Sequence, residues 1–427
     1  MRATDSLARR IGTTLCTAAL TACAGNIHAP DDSSRDAVHD SLSVPDATDT
    51  GAAFDAIDTS PGTDAGPARD ATDTPPPGDI VSFDATDAPV PSDVPSLRDA
   101  SDVTRDAVAP TDAPTVRPIY WGALIDGNDT YGGSYTDAPW DTSTWDLFES
   151  HAGKRISIIH WGVTPPWVND FDYHLSMHQR DLTRGVLELI DMDSSTIPLR
   201  DIASGMYDAS FRTWFTQAAA WGHPFFLRWD WEMNGRWFDW GTTPTNANTP
   251  AEYVSAWRHL HGLAVAAGAN NVTWVWCPNL EFTGSTPLEQ VYPGDAYVDW
   301  TCVDGYNKGG TDWRTFASLY TATYDHLLAL APSRPIMIGE MGSAETGGSK
   351  AAWITDVFST QLPTAFPAIR AVVWFNWRIF EGGAWMQWPI ESSPMAQSAF
   401  ATAIASDYYI AGGALGSLPM GAPIPAP

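Results

Sequence analysis

The sequence predicts a single (β/α)8 barrel preceded by a long segment that has no core of its own. All 21 Trp and all 13 Tyr lie at or beyond Tyr120, whereas residues 24–117 hold only two aromatics, Phe54 and Phe83. From residue 118 onward, eight short β-prone apolar runs alternate with amphipathic stretches, the order that a closed parallel sheet requires. No glycine-rich turn follows the first run, although the competing fold, an open doubly wound sheet, would normally show one.

Residues 119–124, 156–163, 186–190, 224–231, 272–277, 300–305, 336–339 and 369–377 are the expected strands. Between the first two, residues 145–149 start a short helical stretch that ends near Gly153. Asp208 is the expected N-cap of a helix that carries Phe211, Trp214, Phe215, Ala218 and Ala219 on one face and ends at Gly222. Thr249, Pro250 and Glu252 form a capping-box signature ahead of the stripe Tyr253, Trp257, Leu260 and Ala264. Trp313, Phe316, Tyr320, Tyr324 and Leu327 give another stripe, and residues 352–362 are largely helix. The expected catalytic domain spans 118–411, followed by a Gly/Pro-rich tail over 412–427.

The N-terminal quarter reads as an address and a tether. Arg2, Arg9 and Arg10 precede an uncharged run from Ile11 to Ala22. That run is too short for a bilayer core, which needs about 20 residues, so residues 1–23 read as an export signal. Leu20-Thr21-Ala22-Cys23 resembles a bacterial lipobox, in which Cys23 is lipidated; an ordinary signal peptide with an incidental Cys is the alternative. Residues 24–117 carry 19 Asp and five Arg with no Glu or Lys, a charge of −14 against −28 for the whole chain. Such a composition cannot offset its ordering entropy, which predicts a disordered linker extended by like charges. It repeats Asp-Ala-Thr-Asp at 46–49, 70–73 and 84–87, but lacks the glycines of calcium-binding loops. The acidity argues against a nucleic-acid partner. The expected protein is an exported monomer, held on a bacterial membrane or cell surface only by its lipid or released from it.

In a barrel, chemistry gathers where strands end at their C-terminal rim. Asp126, His160, Asp191, Asp193, Glu232, Asn279, Tyr306, Glu340, Asn376 and Arg378 fall there. Glu232 closes strand four and Glu340 closes strand seven, which the barrel brings together across its axis. Paired carboxylates about 5–5.5 Å apart perform retaining glycoside hydrolysis, one as nucleophile and one as acid and then base; two ion-paired strand ends would be the purely structural reading. Trp161, Trp167, Trp231, Trp237, Trp240, Trp276, Trp374, Trp377, Trp385 and Trp388 lie at or just beyond strand ends. Indole faces stack on sugar rings, and core packing accounts for about half of these residues. Arg228 inside the barrel must be paired and reads as structural, beneath the site. Cys277 and Cys302 lie in strand-like runs; export permits a disulfide, and buried free thiols are equally at home there. His259 and His261 sit two apart on a helix and so face different ways. No metal or other cofactor is expected.

The segment Glu232-Met233-Asn234-Gly235-Arg236-Trp237-Phe238-Asp239-Trp240, after Arg228, resembles the acid/base segment of glycoside hydrolase family 26. Ile202 to Asp208 is similar to the segment before that family's fourth strand, Gly339-Glu340-Met341-Gly342 to its nucleophile strand, and Trp377-Arg378 to the end of its eighth. The resemblance implies a retaining endo-β-glycanase acting on a plant-type polysaccharide, most often an endo-β-1,4-mannanase, otherwise a mixed-linkage β-glucanase or β-1,3-xylanase. It implies Glu232 as acid/base, Glu340 as nucleophile, and Tyr306 touching that nucleophile. The expected substrate-binding set is Tyr306, Trp237, Trp377, Arg378, Trp231, His160 and Asn234. Trp231 stands where many members carry His, and Asp239 where Pro is frequent. A glycan-binding lipoprotein without catalysis and a metal-dependent deacetylase are the competing classes; the latter would need a His/Asp ligand cluster that the sequence does not offer.

Cys23 is the only thiol at the lipobox, so Cys23→Ser should move the protein from the membrane fraction to the soluble one. Retention of the variant on membranes would show that something else tethers the chain.

Overall fold

The computed structural model describes residues 117–164, 171–381, 383–414 and 418–427. The expected signal peptide, Cys23, nearly all of the linker and Trp167 lie outside the described residues.

Eight parallel strands close into a barrel in chain order. They are β1 (Tyr120–Ile125), β2 (Ile158–Val163), β3 (Leu187–Met192), β4 (Phe225–Trp229), β5 (Val272–Trp276), β6 (Trp300–Asn307), β7 (Ile336–Ser343) and β8 (Ile369–Asn376). Strand β1 pairs with β2 through Gly122 and Ile158 and with β8 through Ala123 and Trp374, which closes the ring. The helices outside are α1 (Thr142–Ala152), α2 (Leu175–Arg184), α3 (Asp208–Trp221), α4 (Pro250–Ala266), α5 (Phe316–Leu330), α6 (Lys350–Asp356) and α7 (Pro394–Ile404). Covered on both faces, the strands are buried almost end to end, as parallel strands must be.

Local chemistry explains the helix ends. Gly153 and Gly222 close α1 and α3 in the left-handed region, at φ 69° and 71°, where a Cβ would be strained. Thr249 accepts from the Glu252 N–H while Glu252 reaches back to Thr249, so both arms of the capping box form. Asp208 is not a cap: it is the first residue of α3, and its carboxylate pairs with Arg212 and His259. His261 instead packs against Trp274 and Tyr297. Between the sheet and the helices the core is dense in indole. Trp229 stacks on Tyr253 at 5.5 Å, and Trp257 meets Trp274 edge-on at 5.5 Å.

Several elements differ from expectation, for identifiable reasons. Strand β4 stops at Trp229 because Asp230 and Glu232 take positive φ, 42° and 54°, which breaks the pleat. Strand β7 continues past residue 339 to Ser343, its polar end carried by pairing with β6. Helices α2 and α7 were not expected, and neither was the hairpin of β9 (Arg378–Glu381) and β10 (Ala384–Gln387). Helix α6 passes into a π-helix, Val357–Ala365. Cys277 and Cys302, one just beyond β5 and the other within β6, form a disulfide. The boundary expected at residue 411 is not one. Ile424 is buried in the main core, its N–H donates to Thr273 at 2.7 Å, and its carbonyl accepts from the Trp300 indole at 2.9 Å.

Thr249→Ala removes a formed capping box and should lower the stability of the barrel by about 1 kcal/mol, read from the denaturant midpoint. Thr249→Ser keeps the acceptor and should restore most of it.

Candidate active site

The site is built on one buried cation. The Arg228 side chain is wholly enclosed within the barrel, where an unpaired guanidinium would be untenable. Its Nε and Nη2 donate to the two Asp191 oxygens, each at 2.6 Å. Its Nη1 donates to Asp304 at 2.6 Å and its Nη2 to Glu340 Oε1 at 2.5 Å. Strands β3, β6 and β7 thus each deliver one carboxyl group to the guanidinium of β4. Burial pushes the Asp191 carboxyl up, but Arg228 and His160 overcome it and hold the group below the ordinary carboxylate range. Asp304 goes the other way. Burial drives its pKa well up, Arg228 opposes this, and the charges of Glu340 and Glu232 reinforce it.

Backbone irregularities aim both glutamates. Strand β7 shifts register against β6 between Val303 and Asp304, and against β8 between Ile338 and Met341, so Glu340 sits opposite Asp304. Gly339 is required there: a Cβ would lie 2.7 Å from Cys302 Sγ and 3.0 Å from Arg228 Nη1. Glu232 stands on the kink after β4, which its own N–H secures by donating to the Cys277 carbonyl at 2.7 Å. Buried Asp230 braces the same kink, accepting from the Ser194 N–H and hydroxyl at 2.7 and 2.8 Å. Positive φ at two non-glycine residues costs on the order of 1–3 kcal/mol each, and such strain gathers where side-chain aim matters.

The two carboxyl groups have different partners. Glu340 accepts from Arg228 on one oxygen and from the Tyr306 hydroxyl, at 2.5 Å, on the other. Burial and the Glu340 charge push the Tyr306 pKa well up, so the phenol stays a donor. Glu232 accepts from Asn279 Nδ2 at 2.6 Å and from the Trp237 indole at 2.5 Å. Burial, then the charge of Glu340, raise the Glu232 pKa to about 7. One carboxyl oxygen from each of Glu232, Asp304 and Glu340 lies within 4.8 Å of the other two. His160, Asp191 and Glu340 also converge within 4.8 Å, a spacing that could hold a cation, and the Arg228 guanidinium already donates to both of those carboxylates.

Above the glutamates opens a cleft with a volume of ≈ 410 Å³. Tyr306, Trp231, Trp237 and Trp377 line it, as does Trp388, whose ring lies 5.0 Å from that of Tyr306. Three residues expected to bind substrate lie off the cleft. His160 is fully buried beside Asp191 and Arg228, because β2 turns it into the polar layer beneath the site. Asn234 is fully buried too; its side chain clamps the Asn279 backbone through both N–H and C=O, and so places Asn279 against Glu232. Arg378 lies over the Trp385 ring at 4.8 Å, on the hairpin. Among the other indoles, Trp161, Trp240, Trp276 and Trp374 are buried in the core and Trp385 is exposed. Sequence reasoning gave no role to Asp304, although a lone Asp within the apolar run of β6 was a signal. Asn279 was placed at the rim without its partner, and nothing in the sequence marked Phe282, which stacks on Trp237 at 5.5 Å.

Arg228→Met strands its carboxyl partners without a cation and should cost about 3–5 kcal/mol at neutral pH, measured by chemical denaturation. Asp191 contributes stability above its unfolded pKa of about 4, and that contribution is lost as pH falls through its depressed folded value. The gap between wild type and variant should therefore narrow toward acid. A gap independent of pH would mean that Arg228 acts through packing alone.

Comparison with known proteins agrees with this geometry. The chain is 32% identical over 264 residues to Endoglucanase H of Acetivibrio thermocellus, an alignment covering 60% of this chain and 28% of that protein. It is 32% identical over 124 residues to a mannan endo-1,4-beta-mannosidase of Bacillus subtilis, covering 28% of this chain and 30% of the relative. Both alignments thus span less than a third of the relative's own length. Among solved structures, a Cellulomonas fimi endo-beta-1,4-mannanase double mutant shares the fold, with a TM-score of 0.54 at 18% identity over 73% of this chain and 76% of that one. The profile of glycosyl hydrolase family 26 matches residues 212–362, the stretch that carries both Glu232 and Glu340, and over that stretch the chain is similar to the family.

Proposed function

We propose that this chain is a retaining endo-β-glycanase whose substrate is a β-1,4-mannan. The observation that carries the reading is the Glu232–Glu340 pair, within 4.8 Å at the floor of an aromatic-lined cleft, with unlike partners on the two groups. That separation suits direct attack by a carboxylate and is short of the about 6.5–9.5 Å at which inverting enzymes hold a water and the sugar between their carboxyl groups.

Glu340, oriented by the bonds it accepts from Arg228 and Tyr306, attacks the anomeric carbon through a carboxylate oxygen. As that bond forms, the glycosidic C–O bond breaks and Glu232 gives its proton to the departing oxygen. The resulting ester removes the Glu340 charge that had raised the Glu232 pKa. Glu232 is then a base, its anion accepting from Asn279 and Trp237. It takes a proton from a water that attacks the same carbon from the vacated side, releasing Glu340 and retaining the anomeric configuration. The relatives named for mannan hydrolysis favour mannan. The longest of the alignments above, to a protein named as an endoglucanase, favours β-glucan as the second reading. Export on a lipidated Cys23 would place the enzyme where such polymers are found.

Reducing-sugar release from mannan, glucomannan, barley-type β-glucan and β-1,3- and β-1,4-xylans tests the substrate, and mannan or glucomannan should give the highest kcat/KM. The roles separate with a dinitrophenyl glycoside. Glu340→Ala should lose several orders of magnitude in rate. Glu232→Ala should show a burst and then slow turnover, restored by azide with formation of the β-glycosyl azide. Equal behaviour of the two variants, or an α product from azide-rescued Glu232→Ala, would reject the assignment.

A further inference from the structure

We propose that the hairpin of β9 and β10 carries a second glycan-binding site outside the catalytic cleft, built on Trp385 and Phe380. It takes its ligand class from the polysaccharide reading above. The two strands pair Phe380 with Trp385 and Arg378 with Gln387, which puts these four side chains on one face of the ribbon. Ile379 and Glu381, on the opposite face, line the cleft. The ribbon is therefore a wall with the catalytic cleft on one side and an aromatic surface on the other.

That outer surface has the build of a sugar platform. Trp385 and Phe380 are 45% and 46% exposed, and their rings meet edge-on at 5.6 Å. The Arg378 guanidinium lies over the indole, 4.8 Å from its centroid, and nearly half of Trp385 is still open to solvent. The platform is also held at its base, where Arg378 and Gln387 pair across the two strands. The Arg378 N–H donates to Thr130 at 3.1 Å, and the buried Lys350 ammonium donates to the Gln387 carbonyl at 2.6 Å and the Trp388 carbonyl at 3.0 Å. Rigid aromatic rings lose little entropy on binding, and the apolar face of a pyranose covers one such ring.

Other occupants fit less well. The two rings expose roughly 200 Å² between them, far below the about 800 Å² per partner that a stable protein interface needs. Residues 118–427 carry −16, which repels a second copy and an anionic membrane but leaves a neutral glycan indifferent. A polymer threaded through the cleft can continue over the rim of the same ribbon, so the site would raise the enzyme's dwell time on insoluble material.

The test is depletion of the full chain by insoluble mannan, cellulose and β-1,3-xylan, in a Glu340→Gln background so that substrate is not consumed. Phe380→Ser with Trp385→Ser should weaken binding to the preferred solid roughly tenfold, and Trp385→Phe by less than about threefold. With Glu340 restored, the double variant should turn over a soluble dinitrophenyl glycoside at a rate within about twofold of wild type, which also reports folding. The proposal fails if the parent binds none of the solids or if the double variant binds them as tightly as the parent. It fails equally if the patch mediates binding to anionic phosphatidylglycerol vesicles, or a concentration-dependent dimer, in place of the glycan. Loss of solid binding in the double variant, together with hydrolysis of no polysaccharide by wild type, would uphold the platform and reject the catalytic reading.

Discussion

A full positive charge at Arg228, enclosed by the barrel and answered by carboxyl groups from three other strands, is the constraint on which the rest of the site depends. A guanidinium in that position cannot be solvated by water, so the fold must supply its acceptors. It does so from β3, β6 and β7, and the strand registers must meet within a few tenths of an ångström for every contact to form. Gly339 without a Cβ, the register shift beside Asp304 and the buried His160 are all consequences of packing around this one group. The ring of Trp231, 5.0 Å from the guanidinium, closes the layer from above.

From that layer follows an asymmetry between two otherwise identical side chains. Glu340 is a direct ligand of the cation and accepts from a phenol that burial keeps protonated. Glu232 stands on a strained kink, has only neutral donors, and faces the charge of Glu340. Burial first, and then the charge of Glu340 held against the cation, raise the pKa of Glu232. In the proposed mechanism, this asymmetry is what would sort nucleophile from acid, with no difference in residue type.

Much of this was legible in the sequence, and the parts that were not share a cause. All eight strands could be found because parallel strands buried on both faces read as apolar runs, and the capping box at Thr249 is a purely local signal. Glu232, Glu340, Tyr306 and Arg228 stood out as polar residues at or within such runs. Whether Cys277 and Cys302 would pair was not readable, since it depends on the β5–β6 register. His160 and Asn234 carry the right chemistry but face the interior, and a one-residue change of backbone direction decides that. The kink at Asp230 and Glu232 was hidden because neither residue is glycine, and its cost is offset by Ser194 and Cys277, distant in sequence. The ribbon of β9 and β10 was missed because its strands are short and half exposed, with no periodic signal to detect.

Central to the proposed mechanism is that the charge of Glu340, held by Arg228, adds to burial in raising the pKa of Glu232. Carbon-13 NMR titration of the Glu232 side-chain carboxyl, in wild type and in Glu340→Gln, tests it directly. The wild-type group should titrate near 7 and move down toward the ordinary carboxylate range in the variant, stopping short of it because burial remains. A midpoint unchanged by Glu340→Gln, or one already in the ordinary range in wild type, would contradict the account.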